Sequence, residues 1–167
     1  MFGTGTPQFA ACQQQLTMNT ETLSVPDNLD SLKPVRDFVK NAAEAAGLEK
    51  KSAYKLVLAV DEVVANIILH GYQEAGLTGE ITVERTVHPD HLRIDLYDSA
   101  APYNPHERED PDHLDRPLED RPIGGLGVYL ARQGADRMHY EHVDGRNHNT
   151  FIVLRTETAG VPAVSEG

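Results

Sequence analysis

The segment that most constrains the fold is residues 61–71, DEVVANIILHG, in which three polar residues interrupt an apolar run. Glu62, Asn66 and His70 are spaced four residues apart, so they lie along one side of an α-helix. Apolar side chains cover most of the remaining circumference, which is typical of a largely buried helix. Because buried polar groups need partners, this side predicts either an internal hydrogen-bond network or the wall of a ligand pocket.

Two interpretations of these polar residues follow from the helix alone. In the structural interpretation, Glu62 pairs with Lys55 or caps a loop, and Asn66 bonds to the backbone. In the functional interpretation, Glu62 is a general base and Asn66 is an oxygen ligand of a hard cation. For His70, which is followed by glycine and tyrosine, a structural role at the helix end is favoured over contact with a phosphate.

Charge and composition narrow the class of protein. The 167-residue chain has a formal net charge of −11, so a general affinity for nucleic acid or for an anionic membrane is not expected. Cys12 is the only cysteine, and neither a long apolar run nor a signal-peptide pattern is present. We therefore expect a cytoplasmic protein with one domain over residues 16–156 and flexible tails at 1–15 and 157–167.

The remaining pattern predicts strands joined mainly by hairpins. In chain order the predicted elements are a strand at 16–26, helices at about 28–46 and 50–72, strands at 80–87 and 91–98, a helix at 124–136, and strands at 138–143 and 150–155. Hairpin connections favour a mixed, mostly antiparallel sheet with the helices gathered on one face. The expected fold class is an α/β (α+β) two-layer sandwich, and a doubly wound parallel fold is disfavoured.

The strand at 91–98, HLRIDLYD, ends in a carboxylate that should face the core. Asp98 has the same parity as the three apolar residues that precede it at alternate positions. A carboxylate on the core-facing side is costly unless something donates a hydrogen bond to it. An ordered water, a nearby threonine or the amine of a purine could each be that donor.

Residues 124–127, GGLG, come directly before the third predicted helix. Glycines let the backbone approach a ligand closely, and the free N–H groups at a helix start favour phosphate. Glycine before a helix is also often only a turn, so this motif is weak by itself. Neither a P-loop nor a strand–G-x-G-x-x-G–helix unit is present, and a nucleotide site in this chain would belong to another class.

Taken in order, these segments resemble the Bergerat-type ATP-binding fold (the histidine-kinase-like ATPase domain) shared by histidine kinases, gyrase B and Hsp90. Within that group they most resemble the anti-sigma-factor serine/threonine kinases. The resemblance spans about residues 16–156 and is carried by three motifs: E-x-x-x-N with a trailing HGY, the aspartate box LYDSAAPYNP, and the glycine box GGLGVYLARQGAD.

The resemblance implies a Mg²⁺- and ATP-dependent serine/threonine protein kinase that is also an anti-sigma factor. Its protein substrate would be a STAS-type anti-sigma antagonist, its other partner a sigma factor, and its expected state a homodimer. Asn66 would coordinate the Mg²⁺ that bridges the ATP phosphates, and Glu62 would orient or deprotonate the attacking hydroxyl of the substrate.

The resemblance also implies which residues bind the rest of the nucleotide. Asp98 would accept a hydrogen bond from the adenine amine, with Thr150 supporting it, and the backbone N–H groups of Gly125 and Gly127 would bind the phosphates. The loop at 104–123 would be the lid of the site.

One residue of the aspartate box departs from the family pattern. The family usually has a glycine two residues after the aspartate, where this chain has Ala100. If this turn needs a positive φ, alanine adds strain of about 1 kcal/mol or somewhat more, which would weaken ATP binding about tenfold.

Two other functions therefore stay open at this point. Ala100 favours an ATP-binding adaptor or switch without phosphotransfer activity, whereas Glu62 and Asn66 favour the kinase, because a pure binder would not need the base. More distantly, the chain could be a domain that binds no nucleotide and whose polar groups are structural.

Overall fold

The computed structural model describes residues 19–104 and 133–156, which contain five strands in one sheet. The strands are β1 (Asn19–Pro26), β2 (Glu80–Val87), β3 (His91–Asp98), β4 (Arg137–Val143) and β5 (Arg146–Leu154). Their order across the sheet is β1-β2-β3-β5-β4, and every neighbouring pair is antiparallel. The predicted α+β fold class is confirmed, and the sheet is antiparallel throughout this part of the chain.

Two helices follow the first strand. A 3₁₀ turn at Leu29–Ser31 leads into α1 (Leu32–Ala45), and Asn28 caps that turn by accepting a hydrogen bond from the Asp30 backbone at 3.0 Å. The second helix, α2 (Lys50–Asn66), continues directly into a π-helical segment, Ile67–Gln73. The helix predicted over 50–72 is therefore present, but its last part is wider than an α-helix.

Both helices pack on one face of the sheet and enclose the core. The buried apolar residues of this core include Val35 and Val39 of α1, Leu56, Val60, Val63 and Val64 of α2, Ile81 and Val83 of β2, Leu92, Ile94 and Leu96 of β3, and Phe151 and Val153 of β5. The other face of the sheet carries mostly polar side chains, as expected of an antiparallel sheet that is covered on one side.

Both predicted hairpins are present. The turn from β4 to β5 has positive φ angles at Asp144 (53°) and Gly145 (77°), the conformation of a type I′ turn. The prediction for the start of β5 was wrong, because the strand begins at Arg146 and not at Thr150. Asn147 and Asn149 are buried polar residues, so this part of the strand lacks the hydrophobic alternation that would have identified it.

Several predicted segments lie outside the described residues. These are both tails, the lid at 105–123, and most of the third helix, of which only Gln133 and Gly134 are described and helical. Within 19–104 and 133–156, no helix is both long enough and apolar enough to cross a membrane.

Candidate functional site

The polar side of α2 ends in an asparagine whose side-chain N–H groups have no partner among the described residues. Asn66 is only 5% exposed, and its Nδ2 has no hydrogen-bond partner among the described residues. Glu62, one turn earlier, is half-buried, whereas Lys55 is exposed at the other end of the stripe. An unsatisfied buried amide costs about 1–3 kcal/mol, so Asn66 has the character of a residue that contacts a ligand.

The π-helical segment that follows Asn66 is tied to the chain just after β3. The Ala101 backbone N–H donates to the carbonyl oxygen of Gly71 at 3.1 Å. The hydroxyl of the buried Tyr72 accepts from the Ser99 backbone N–H at 3.1 Å and donates to the Glu80 carbonyl at 3.0 Å. These contacts hold the end of the helix against the turn that follows Asp98.

His70 lies on the same segment. Its Nδ1 is 2.9 Å from Glu74 Oε1, and its ring stacks on Tyr103 with a centroid distance of 6.1 Å. Both contacts are with neighbouring parts of the protein, in agreement with the structural role predicted for His70 at the helix end.

Ala100 does not have the strained conformation that the sequence suggested. Among the described residues, Asp144 is the only one other than glycine with a positive φ, so Ala100 adopts an ordinary backbone conformation. Its side chain is buried and faces Gly71, where a Cβ atom would lie only 2.8 Å from the Cβ of Ala100. The condition for strain at Ala100 is therefore not met, and the missing side chain of Gly71 leaves room for its methyl group.

Asp98 is a buried carboxylate with one satisfied oxygen and one unsatisfied oxygen. It is 1% exposed, and its Oδ1 accepts from Asn147 Nδ2 at 2.7 Å and from the Ala100 backbone N–H at 3.0 Å. Its Oδ2 has no partner among the described residues. Burial raises the pKa of Asp98, although the hydrogen bonds from Asn147 and Ala100 act in the opposite direction. The unsatisfied oxygen is suited to a ligand group that donates a hydrogen bond, such as an amine.

Thr150 does not support Asp98, so this part of the prediction was wrong. In the register of β3 and β5, Thr150 is paired with Asp95, and Asp98 is paired with Asn147. Asp95 and Asp98 have opposite parity on β3, so Thr150 lies on the face of the sheet away from the helices. Its hydroxyl donates to Asp95 Oδ1 at 2.8 Å.

Two asparagines on β5 occupy the face that the prediction assigned to Thr150. Asn147 contacts Asp98 directly, and Asn149 is 1% exposed with an Oδ1 that has no partner among the described residues. Both share strand parity with the core residues Phe151 and Val153. Counting back in steps of two from Phe151 would have found them, because alternate residues of a strand share one face.

The structure thus brings Asp98 and the end of α2 to the same end of the sheet. Gly125 and Gly127, predicted to bind phosphate, lie outside the described residues. The site that can be described consists of the carboxylate, the two asparagines of β5, and the polar end of α2. It presents unsatisfied hydrogen-bonding atoms of both kinds, namely an N–H donor and two oxygen acceptors.

Comparison with known proteins found relatives that match most of this chain. The chain is 25% identical over 126 residues to the serine-protein kinase RsbW of Bacillus mycoides (strain KBAB4), and the match covers 74% of this chain and 78% of the relative. The RsbW of Bacillus cereus (strain ATCC 10987 / NRS 248) has the same identity and coverage.

A solved structure shows the same fold. The chain superposes with a TM-score of 0.54 and 16% sequence identity on the structure of the RsbU and RsbW domains of Rv1364c from Mycobacterium tuberculosis. The match covers 81% of this chain but only 32% of that chain, so this protein spans about one third of its length.

The match to a family model covers most of the chain and includes α1, α2 and the strands around Asp98. It extends over residues 25–153, and the predicted resemblance is confirmed at this level. The protein belongs to the family of histidine kinase-like ATPase domains.

Proposed function

We propose that this protein is a Mg²⁺- and ATP-dependent serine/threonine protein kinase and an anti-sigma factor, whose substrate is a STAS-type anti-sigma antagonist. Membership of the histidine kinase-like ATPase family and the similarity to proteins named serine-protein kinase RsbW support this proposal. The proposal includes a sigma factor as second partner, a homodimer, and action in the cytoplasm, where ATP and sigma factors are found.

The observation that carries the proposal is the half-satisfied carboxylate of Asp98. A carboxylate that is 1% exposed is costly unless its oxygens are hydrogen-bonded, yet Oδ2 has no partner among the described residues. The exocyclic amine of adenine would supply the missing donor. The partnerless oxygen of Asp98 therefore supports the binding of an adenine nucleotide independently of the family match.

The end of α2 would serve the phosphates. The amide of Asn66 could turn its oxygen toward Mg²⁺, or donate from Nδ2 to a phosphate oxygen. When bound, Mg²⁺ would neutralise the charge of the phosphates, on which phosphoryl transfer chiefly depends. Gly125 and Gly127 are proposed to donate backbone N–H groups to the same phosphates.

Glu62 is proposed as the catalytic residue. It would orient the serine or threonine hydroxyl of the protein substrate and accept its proton. As the hydroxyl oxygen bonds to the γ-phosphorus, the bond between that phosphorus and the departing ADP breaks, so that the products are the phosphoprotein and ADP. The place of Glu62 one turn before Asn66 supports this role.

An ATP-binding adaptor without transfer activity is the alternative function. Ala100 was the feature that favoured it, and its ordinary φ together with the space left by Gly71 removes that argument. The kinase is therefore favoured over the adaptor, and the experiment below distinguishes the two functions.

The test combines a binding measurement with a transfer measurement. Mg-ATP should raise the thermal unfolding midpoint, and label from γ-labelled ATP should appear on a cognate STAS protein. Glu62→Gln should keep the binding and lower the transfer rate by about 10²–10⁴-fold. Asp61→Asn is the matched control, because it removes the adjacent charge, which is paired with Arg36, and should leave transfer unchanged.

Two outcomes would argue against the kinase, and a third would argue against the catalytic role of Glu62. Absence of any Mg-ATP effect on unfolding would overturn nucleotide binding altogether. Binding without transfer to any cognate antagonist would favour the adaptor. Full transfer activity in Glu62→Gln would remove Glu62 from the mechanism.

A further inference from the structure

We propose that Asn147 positions Asp98 for reading the nucleotide base, so that this chain selects adenine over bases that carry a carbonyl at the same ring position. This inference rests on the proposed function, because it names the residue by which that site would select its nucleotide. Asn147 is a positioning residue in this proposal, since it would act on the base through Asp98.

The amide of Asn147 fixes the direction of the carboxylate. Asn147 is 3% exposed, and its Nδ2 donates to Asp98 Oδ1 at 2.7 Å and to the Ala100 carbonyl at 3.1 Å. The Ala100 backbone N–H donates to the same Oδ1 at 3.0 Å. With two donors on one oxygen, the carboxylate is held in one orientation, and Oδ2 is the oxygen left for a ligand.

The oxygen of the Asn147 amide contacts residues of the edge strand β4. Its Oδ1 accepts from the Tyr140 hydroxyl at 2.8 Å and lies 3.0 Å from His142 Nδ1. Turning the amide over would place its N–H groups against the Tyr140 hydroxyl and its oxygen against the carboxylate of Asp98. Because the Asp98 carboxylate and the Ala100 carbonyl only accept hydrogen bonds, they permit one orientation of the amide.

This arrangement has a consequence for base selection. A fixed, ionised Oδ2 attracts an N–H donor such as the adenine amine and repels a carbonyl oxygen, which hypoxanthine and guanine carry at the same ring position. If Asn147 no longer held Oδ1, the carboxylate could rotate or become protonated, and a protonated carboxyl can donate to a carbonyl. The preference for adenine should therefore depend on Asn147 and not only on Asp98.

The test compares Mg-ATP with Mg-ITP, whose hypoxanthine base has a carbonyl in place of the amine. The wild-type protein should bind Mg-ATP at least about tenfold more tightly than Mg-ITP. Asn147→Asp keeps the shape of the side chain but removes its donors, and should reduce that ratio to about threefold or less. Isothermal titration measures both dissociation constants, and circular dichroism checks that the variant is folded.

A second variant keeps the test decisive if Asn147→Asp does not fold. Tyr140→Phe leaves Asn147 and Asp98 in place and removes one donor to the Asn147 oxygen, so the ratio should fall by a smaller amount, about twofold. His139→Ala, on the same strand but on the other face, is the matched control and should leave the ratio unchanged.

The outcomes separate this inference from the proposed function. If the wild-type protein binds no adenine nucleotide, both fall together. If the wild-type protein prefers Mg-ATP and the folded Asn147→Asp and Tyr140→Phe variants keep the same ratio, the inference is overturned while nucleotide binding stands. A merely structural role of Asn147 would weaken both nucleotides equally, which also overturns the inference.

Discussion

Gly71 and Ala100 are complementary, since a side chain at Gly71 would place its Cβ 2.8 Å from the Cβ of Ala100. The two residues can be neighbours only because one of them has no side chain. The Ala101 backbone N–H donates to the Gly71 carbonyl at the same place. The close approach thus joins the end of the π-helical segment to the turn that follows Asp98.

This contact predicts strong coupling between the two positions. Gly71→Ala should lower the free energy of unfolding by about 1–3 kcal/mol, because neither backbone can move away without breaking the hydrogen bond between them. Adding Ala100→Gly should restore most of the loss, since the methyl group is then present on the other side of the contact. Urea unfolding of both single variants and the double variant measures this, and simple additivity would contradict it.

A second prediction concerns the stability of the protein without nucleotide. Burial raises the pKa of Asp98 above its ordinary value of 3.8, so the ionised form is less favoured in the folded protein than in the unfolded chain. The stability that the protonated carboxyl contributes is full below pH 3.8 and is lost as the pH rises through the raised folded value.

Asp98→Asn removes this ionisation and should therefore separate stability from binding. At pH 7 without nucleotide, the variant should be at least as stable as the wild-type protein, yet Mg-ATP should no longer raise its unfolding midpoint. Urea unfolding at several pH values, expressed as the difference between variant and wild type, isolates Asp98 from other acids. The prediction would be contradicted by an Asp98→Asn variant that is less stable than the wild type at pH 7 and still binds Mg-ATP.

The third prediction tests the reassignment of Thr150. Thr150→Val removes the hydroxyl that donates to Asp95, so the free energy of unfolding should fall by about 1 kcal/mol. Mg-ATP affinity should stay within about twofold of the wild type, because Thr150 is on the face of the sheet away from Asp98. Titration calorimetry measures the affinity for Mg-ATP, and a large loss of affinity would support the original prediction that Thr150 assists Asp98.

The fourth prediction concerns Asp95 itself. Burial would raise the pKa of this carboxyl, but the hydrogen bonds from Arg93, His148 and Thr150 together overcome burial and lower it. A lowered folded pKa means that Asp95 contributes stability above pH 3.8 and that this contribution is lost as the pH falls through the folded value.

Asp95→Asn should therefore lower the free energy of unfolding by about 1–3 kcal/mol at neutral pH. The difference between the variant and the wild type should become smaller in acid. Urea unfolding across the acid range checks the trend. A cost that does not change with pH would mean that the ionised carboxylate is not the stabilising form.

The fifth prediction concerns the hydroxyl of Tyr72. Tyr72→Phe keeps the buried ring and leaves the Ser99 backbone N–H and the Glu80 carbonyl without this partner. We expect a loss of about 1–3 kcal/mol in the free energy of unfolding, together with faster amide exchange at Ser99. Hydrogen exchange followed by NMR measures the second effect, and an unchanged Ser99 amide would contradict the contact.

Much of the fold could be predicted because its signals are local. The strands at 80–87 and 91–98 were predicted at their observed bounds, since apolar and polar residues alternate along both. Asp144-Gly145 marked a hairpin by its turn residues alone. The polar side of α2 was evident from spacing, because Glu62 and Asn66 are one helical turn apart.

Within the described residues, the order of the strands and of the first two helices, the buried helix with its polar residues, and the core-facing position of Asp98 could all be inferred from the sequence. Each is marked by the residue pattern of a single element or turn. The residue that stands beside Asp98 could not be inferred in this way and is known from the pairing of the strands. That choice depends on the register between β3 and β5, where a shift of one residue moves a side chain to the other face of the sheet. The fit of Ala100 against Gly71 could not be inferred from the sequence either, since it depends on the distance between two segments that are far apart along the chain.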